Sequence, residues 1–387
     1  MDTPFRTWAE IDLDALSDNW NRIRAGAGKA ALFAVVKANA YGHGAVPVAK
    51  ALSGKADGFA VAAFDEAMEL RLAGIDDWIL ILNTVDEMWF SELIAHRIAM
   101  TVFSLPVAQK LNAAAEKAGE KAEIFLAVDT GMTRIGLSCD EDGLSEAARI
   151  CSLPYLTPVG IFTHPACADA PETRFSEKQL AVFAPFLRVL EENGNAFPLR
   201  CFCNSAALLQ NGAWGNLCKI GLLLYGVYPS GKVKKNVPVT PVLSWRAKIL
   251  SVRTVEPGTG IGYGHTFVAE KPMRIATVAV GYADGYPLSL SNRGNVLIDG
   301  RFAPIVGRIC MDQMMVDVTG IETAREGGTV TLIGRDGSQT ITADDLAAAT
   351  RSISYQILCA VGPRVTRVFL RGGKIAECHS ALNPTIQ

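Results

Sequence analysis

The sequence predicts an α/β protein with an N-terminal (β/α)8 barrel and a C-terminal mostly-β domain. Two patterns support this prediction. In the first part of the chain, short apolar runs alternate with amphipathic stretches, which is typical of βαβ units on a parallel sheet. After Tyr228 comes a segment rich in charge and turn formers, followed by β-branched runs separated by turns. We therefore expect the barrel to cover residues 1–235 and the β domain to cover residues 236–387.

Eight apolar runs in the first part have the length of buried strands. Eight βα repeats within roughly 200–250 residues fit a closed barrel. A doubly wound open sheet is the alternative that the same alternation allows. Helical patterns between the runs cover 65–73, 106–118, 141–150 and 175–192. The predicted strands are 31–36, 58–63, 78–82, 99–103, 123–128, 156–163, 199–203 and 219–225.

The second part is dominated by runs of β-branched residues. One helix stands out at 343–350, where Thr342 has the residue type of an N-cap. The predicted strands are 243–255, 275–280, 295–298, 314–318, 329–333 and 365–370. A run of strands with a single clear helix is typical of a mostly-β domain.

Composition and charge exclude several classes of protein. The 37 basic and 39 acidic residues leave no excess for a nucleic-acid-binding face. No run approaches the roughly 20 apolar residues that a membrane span needs, and we expect no signal peptide. The nine cysteines are odd in number and lack paired metal-ligand spacing. We therefore expect reduced thiols, no bound metal and a cytoplasmic location.

Polar side chains follow the predicted barrel strands at their carboxyl ends, where barrel active sites lie. A lysine in an apolar barrel mouth loses hydration, which lowers its pKa and frees its amine for a Schiff base with an aldehyde. Pyridoxal phosphate is the aldehyde cofactor with this chemistry. For any one of these residues, a hydrogen bond at a strand end is the alternative role. The residues concerned are Lys37, Arg134, His164, Ser205, Lys219 and Gly221.

The segment AVVKANAYGHG (34–44) resembles the cofactor-lysine motif of bacterial alanine racemases. Further barrel segments that match this family are VDTGMTRIG (128–136), TH (163–164), NSAA (204–207) and LYG (224–226). In the second domain, the matching segments are GYG (262–264), GYADGY (281–286), GRICMD (307–312) and ISY (353–355). Because these motifs occur in the family's order over both domains, the resemblance is specific.

The resemblance implies a fold-type III enzyme that interconverts L-alanine and D-alanine and works as a homodimer with shared active sites. Lys37 and Tyr263 would be bases on opposite faces of the substrate, acting through a pyridoxal-phosphate aldimine and an α-carbanion. Arg134 and Met311 would bind the substrate carboxylate. The residues implied to bind the cofactor are Lys37, Tyr41, His164, Ser205, Lys219, Gly221, Leu222 and Tyr355.

Four positions depart from the family pattern. Lys219 stands where the family usually has an arginine beside the pyridine nitrogen, and Cys201 stands where a histidine often supports that arginine. Ala127 replaces a lysine that becomes carbamylated in many members, and Pro165 replaces Phe or Leu. A lysine is a point charge and not a planar fork, so its donor direction is less fixed. These changes bear on the substrate range more than on the reaction.

Three other readings of the sequence remain open. The first is a small amino-acid racemase of broader specificity. The second is a fold-type III amino-acid decarboxylase, which would need a Gly-Gly-Gly phosphate loop and a Cys-Asp pair, whereas Cys310 is followed by Met311. The third is a non-catalytic pyridoxal-phosphate-binding protein, and such proteins resemble the barrel half only.

Overall fold

The computed structural model describes residues 3–170, 172 and 174–382. The chain divides into two compact units. The barrel unit comprises Ser17–Ala40 and Ala45–Val239. The β unit comprises Thr240–Gln387, Tyr41–Gly44 and Met1–Leu16, as far as these ranges are described. Two short N-terminal segments thus pack with the C-terminal part of the chain. The functional division into 1–235 and 236–387 stays a prediction.

The barrel unit contains one sheet of eight parallel strands. Strands are numbered along the chain, and β1 (Thr7–Asp12) belongs to the β unit. The barrel strands are β2 (Ala31–Val35), β3 (Gly58–Val61), β4 (Ile79–Ile81), β5 (Ile98–Val102), β6 (Ala122–Ala127), β7 (Leu156–Phe162), β8 (Leu199–Cys201) and β9 (Leu217–Ile220). Their order is β8-β7-β6-β5-β4-β3-β2-β9.

The two ends of this sheet meet, which excludes the open-sheet alternative. A parallel bridge joins Asn204, just after β8, to Lys219 on β9. The eighth strand was predicted at 219–225, and that range is wrong. The strand ends at Ile220, and Leu222–Tyr225 forms a 3₁₀ helix. The cause is Gly221, whose φ of −108° and ψ of −107° leave the extended region.

Helices connect the barrel strands and bury one face each. The helix Leu105–Ala118 shows why they form, because its buried residues recur every three or four positions and Gly119 ends it in the left-handed conformation. All four predicted helices are present within two residues of the expected bounds. The helices are Leu13–Ala27, Ala45–Leu52, Phe64–Leu72, Phe90–Ala95, Leu105–Ala118, Glu141–Cys151, Arg174–Glu192 and Ser205–Asn211.

The β unit is built on the long strand β10 (Leu243–Val255), which was predicted with these bounds. It pairs with β1, with β13 (Met273–Val278) and with β17 (Thr329–Asp336), and β1 also pairs in parallel with β19 (Thr366–Arg371). The other strands are β11 (Gly260–Ile261), β12 (Phe267–Val268), β13 (Met273–Val278), β14 (Asn295–Ile298), β15 (Arg301–Pro304), β16 (Met314–Asp317), β17 (Thr329–Asp336), β18 (Gln339–Ile341), β19 (Thr366–Arg371) and β20 (Lys374–His379).

In the C-terminal part of the β unit, the described residues form two α-helices. Ala343–Thr350 was predicted, and the Thr342 hydroxyl caps it by accepting from the Asp345 N–H at 3.1 Å. Ser354–Cys359 was missed because six residues are too few for a helical period to show. Within the described part of the chain, none of the helices combines the length and apolar character that crossing a membrane requires.

Candidate active site

The barrel unit gathers seven of the predicted site residues at the carboxyl end of its strands. Parallel strands place these ends together, so residues far apart in sequence become neighbours. Lys37 follows β2, Arg134 lies in the loop after β6, and His164 follows β7. Ser205 begins the helix after β8, while Lys219, Gly221 and Leu222 belong to β9 and the turn after it.

A left-handed turn follows Lys37 directly. Ala38, Asn39, Ala40 and Tyr41 all have φ between 52° and 53°, a conformation that costs non-glycine residues about 1–2 kcal/mol each. Within the barrel unit, the Ala38 N–H donates to the Glu66 carboxylate at 2.6 Å, and the Asn39 side chain accepts from the Ala45 N–H at 2.8 Å. These bonds hold in place the backbone that directly follows Lys37.

Lys219 is a buried cation whose ammonium group makes no hydrogen bond to any described residue. The residue is 4% exposed, and its Nζ lies 3.4 Å from the centroid of the Phe162 ring. Burial lowers the pKa of Lys219, the charges of Arg134 and Lys37 lower it further, and the Cys201 thiol acts in the opposite direction. A buried donor of this kind calls for an acceptor that the protein itself does not provide.

His164 is neutral at physiological pH. Loss of hydration lowers its pKa to about 3, and the nearby charges of Lys219, Arg134 and Lys37 add to the effect. Two lysines and an arginine within electrostatic range of one imidazole make the barrel mouth rich in basic groups and hydrogen-bond donors. An anion such as a phosphate or a carboxylate is therefore the ligand that this end of the barrel favours.

The turn after β9 carries the predicted phosphate-binding group. The buried Ser205 hydroxyl oxygen accepts from the Gly221 N–H at 3.0 Å. The following 3₁₀ helix is anchored by Tyr225, whose hydroxyl donates to the Val35 carbonyl at 2.8 Å. A serine hydroxyl beside the backbone of Gly221 and Leu222 has the donor types that a phosphate needs.

The loop that carries Arg134 is held by a residue that sequence reasoning missed. Gln179 is buried on the helix Arg174–Glu192, and its amide donates to the Thr130 hydroxyl at 3.0 Å and to the His164 carbonyl at 2.9 Å. Its carbonyl oxygen accepts from the Ala166 N–H at 2.9 Å. Gln179 thus joins the Arg134 and His164 loops. The available signal was a polar residue within the apolar period of this helix.

The β unit holds Tyr41 and Tyr355 together. Their ring centroids are 5.7 Å apart, and burial raises the pKa of the Tyr41 phenol, with Tyr355 adding to the effect. The backbone next to Tyr41 packs closely against the helix that contains Leu358. A Cβ on Gly42 would lie 2.2 Å from the Leu358 carbonyl oxygen, so the motif needs a glycine there. The guanidinium of Arg367 donates to the Gly42 carbonyl at 3.0 and 3.1 Å.

Tyr263 and Met311 line one open cavity of the β unit, with a volume of about 510 Å³. Tyr263 is 69% exposed, so its phenol is free to meet a ligand. The cavity is also lined by Gly262, Cys310, Asp312, Gln313 and Met315. The structure therefore brings the predicted site residues together as a barrel group, a Tyr41–Tyr355 pair and a Tyr263–Met311 cavity.

These residues fit pyridoxal phosphate. The barrel group offers an amine on a fixed backbone, hydroxyl and backbone donors for a phosphate, and the unpartnered ammonium of Lys219 for an acceptor atom. The amine suits the aldehyde of the cofactor, the hydroxyl and backbone donors suit its phosphate, and the ammonium suits its ring nitrogen.

Both halves of the chain match known protein families. Residues 11–229 match the N-terminal domain of alanine racemase, and residues 242–369 match its C-terminal domain. The chain is 40% identical over 376 residues to the alanine racemase of Clostridium perfringens strain SM101, a match that covers 96% of this chain and 97% of that protein.

Solved structures give the same result. The alanine racemase of Clostridium difficile 630 superposes with a TM-score of 0.95 at 38% identity and covers 98% of this chain and 100% of its own. The alanine racemase of Bartonella henselae, solved with covalently bound pyridoxal phosphate, gives a TM-score of 0.85 at 30% identity, covering 95% of this chain and 100% of its own.

Proposed function

Because the chain belongs to the alanine racemase family, we propose that Lys37 and Tyr263 are the two bases with which it moves a proton at the α-carbon of alanine. The chain is a pyridoxal-phosphate-dependent racemase that interconverts L-alanine and D-alanine. The observation that carries this function is the match of both family domains along one chain.

Racemisation requires that a proton leave one face of the α-carbon and that another arrive on the opposite face. One base cannot easily serve both faces, so two bases are the simple solution. In this proposal, Lys37 exchanges a proton with one face of the α-carbon, and Tyr263 exchanges a proton with the opposite face. The cofactor, when bound, acts as an electron sink for the electron pair that the departing proton leaves behind. Arg134 and Met311 bind the substrate carboxylate and so present the α-carbon to both bases.

The cofactor-binding residues have separate tasks in this proposal. Lys37 would hold the cofactor through its aldehyde, while Ser205 and the backbone of Gly221 and Leu222 would bind its phosphate together with Tyr41 and Tyr355. His164 and Lys219 would lie against its ring. The neutral state of His164 and the unpartnered ammonium of Lys219 support the last two roles.

We also propose a homodimer in which the barrel group of one chain and the Tyr263–Met311 cavity of the other make up each active site. Tyr263 and Met311 are both exposed, which supports this proposal. Exposed apolar and aromatic side chains that line a cavity are typical of a surface that contacts another protein chain. A cytoplasmic location is proposed as well. None of the nine cysteines forms a disulfide bond in the described part of the chain, which supports a reducing compartment.

The activity is tested by incubating the cofactor-loaded protein with L-alanine and separating the enantiomers by chiral chromatography. D-Alanine should accumulate until both enantiomers are equal, with no release of carbon dioxide. Carbon dioxide release would indicate a decarboxylase, and unchanged L-alanine would contradict the assignment. The same assay with L-serine measures how far the substrate range extends beyond alanine.

Lys219 provides a prediction that separates cofactor binding from stability. In the cofactor-free protein, Lys219→Met removes a buried ammonium and should raise the free energy of unfolding by about 1–2 kcal/mol. In the same variant, affinity for pyridoxal phosphate should fall about tenfold, because the ring loses a charged donor. Lys219→Arg, which keeps the charge, is the control and should retain cofactor affinity. Urea unfolding and cofactor titration are the measurements. Unchanged affinity in Lys219→Met would contradict the proposed role.

A further inference from the structure

Two successive peptide groups beside Tyr263 are oriented by a neighbouring turn of the β unit. The backbone N–H groups of Tyr282 and Ala283 donate to the carbonyl oxygens of Cys310 and Met311, each at 3.0 Å. The chain has no cis peptide bonds among the described residues, so each carbonyl points away from the N–H of the next residue. The N–H groups of Met311 and Asp312 therefore both point away from the turn.

Neither of these two N–H groups has an acceptor among the described residues. Met311 and Asp312 line the 510 Å³ cavity that also contains Tyr263. Two neighbouring N–H groups that point the same way form an arrangement that proteins use to bind anions. The substrate has one anionic group to offer, its carboxylate.

The turn is braced by a buried carboxylate. Asp284 is 0% exposed, and its side chain accepts from the Gly281 N–H at 3.0 Å and from two nitrogens of Arg6. The Arg364 Nε lies 3.4 Å from the same carboxylate, and its Nη2 donates to the Asp312 carboxylate at 2.6 Å. Arg364 thus joins the turn to the Met311 segment. It also compensates the negative charge that Asp312 would otherwise present to an incoming carboxylate.

Gly281 completes this arrangement. A Cβ at this position would lie 2.3 Å from the Cys310 carbonyl oxygen and 2.4 Å from that of Met311. Both contacts are shorter than a side-chain carbon allows. Only glycine therefore lets the turn approach closely enough for its N–H groups to hold the two carbonyls.

We propose that the Met311 and Asp312 N–H groups form an amide pair that receives the substrate carboxylate, with Asp312 as an additional donor and with Asp284 and Arg364 as positioning residues. This inference rests on the proposed function, in which Met311 binds the substrate. The amide pair would bind the carboxylate equally in the substrate and in the transition state. Its loss should therefore raise KM and leave kcat nearly unchanged.

The direct test replaces Asp312 by its α-hydroxy acid, which turns the 311–312 peptide bond into an ester, removes that N–H and keeps the side chain, while the Met311 carbonyl becomes a weaker acceptor for the Ala283 N–H. The probe is propionate, which is alanine without its amino group. We expect KM for alanine and the dissociation constant of propionate from the cofactor-loaded enzyme to rise about tenfold, the loss of one charged hydrogen bond. The same replacement at Met311 is the comparison.

The two replacements distinguish the inference from the proposed function. If the Met311 ester weakens propionate binding and the Asp312 ester does not, the amide pair is refuted while the role of Met311 stands. If neither ester has an effect, both the amide pair and the proposed Met311 contact are wrong. A wild-type protein that does not racemise alanine refutes the proposed function before any variant is made.

The brace is tested by Gly281→Ala and Arg364→Gln. Each should weaken propionate binding about tenfold with kcat nearly unchanged, because the carbonyls that aim the amide pair lose their support. Gly320→Ala is the matched control, since a Cβ there meets nothing within 4 Å. Arg364→Gln changes a partly exposed side chain, so it keeps the test valid if Gly281→Ala fails to fold. Wild-type propionate affinity in Arg364→Gln would refute the positioning role.

Discussion

A Lys37→Ala enzyme should racemise alanine at least about a thousandfold more slowly than the wild type, because it lacks both a base and the amine that holds the cofactor. The wild-type protein should be yellow, whereas the Lys37→Ala protein should be colourless after dialysis. Borohydride treatment of the wild type should fix the cofactor covalently to Lys37. Peptide mapping by mass spectrometry identifies the labelled residue.

A matched control for this result is Lys37→Arg. Arginine keeps a positive charge, but it does not lose its proton at neutral pH and cannot replace the amine. We expect it to be as inactive as Lys37→Ala, with both proteins unfolding at urea concentrations close to wild type. Borohydride labelling of Lys219 instead of Lys37 would show that the assignment is wrong.

Mixing two inactive variants should restore activity if the sites are shared between chains. A Lys37→Ala chain keeps its Tyr263, and a Tyr263→Phe chain keeps its Lys37. Random exchange makes about half of the dimers mixed, and each mixed dimer has one intact site of two, so about a quarter of wild-type activity should return. Racemisation is measured before and after exchange.

The extent of exchange must be measured independently, for example by native mass spectrometry with one variant isotopically labelled. Tyr263→Phe mixed with itself is the control and should stay inactive. If exchange is complete and no activity returns, then Lys37 and Tyr263 of each site belong to the same chain. That outcome would refute the shared-site dimer and leave the racemase activity itself untouched.

Much of the fold could be predicted because apolar periodicity is a local property. Seven of the eight barrel strands lie within two residues of the expected bounds, and β10 has the expected bounds, whereas the range predicted for the eighth barrel strand was wrong. Placing polar residues at strand ends was sufficient to select Lys37 and His164, since parallel strands align their carboxyl ends. The roles of these residues came from the family motifs, because a strand-end residue can also have a purely structural role.

Features that depend on distant parts of the chain were missed. β1 pairs with β10 and β19, whose residues come more than 230 positions later, and nothing local indicates that partner. Ala38 and Ala40 have the highest propensity for right-handed helix, yet they lie in a left-handed turn. The role of Gln179 was also missed. A glutamine in a helix can be recognised as buried only when it is known which face of that helix packs against the barrel.

The placement of Tyr41–Gly44 in the β unit has a consequence for how this chain can be divided or recombined. The barrel unit is interrupted by these four residues, so no single cut in the sequence releases it whole. A barrel expressed alone would carry Tyr41 and Gly42 without Tyr355, Leu358 and Arg367, the neighbours that hold them. The backbone at Tyr41 would then be free to relax toward the right-handed form that L-residues prefer, while the hydrogen bonds of Ala38 and Asn39 inside the barrel unit would remain. The two units are therefore not interchangeable modules, and in any chimaera the 41–44 segment must be exchanged together with the β unit that seats it.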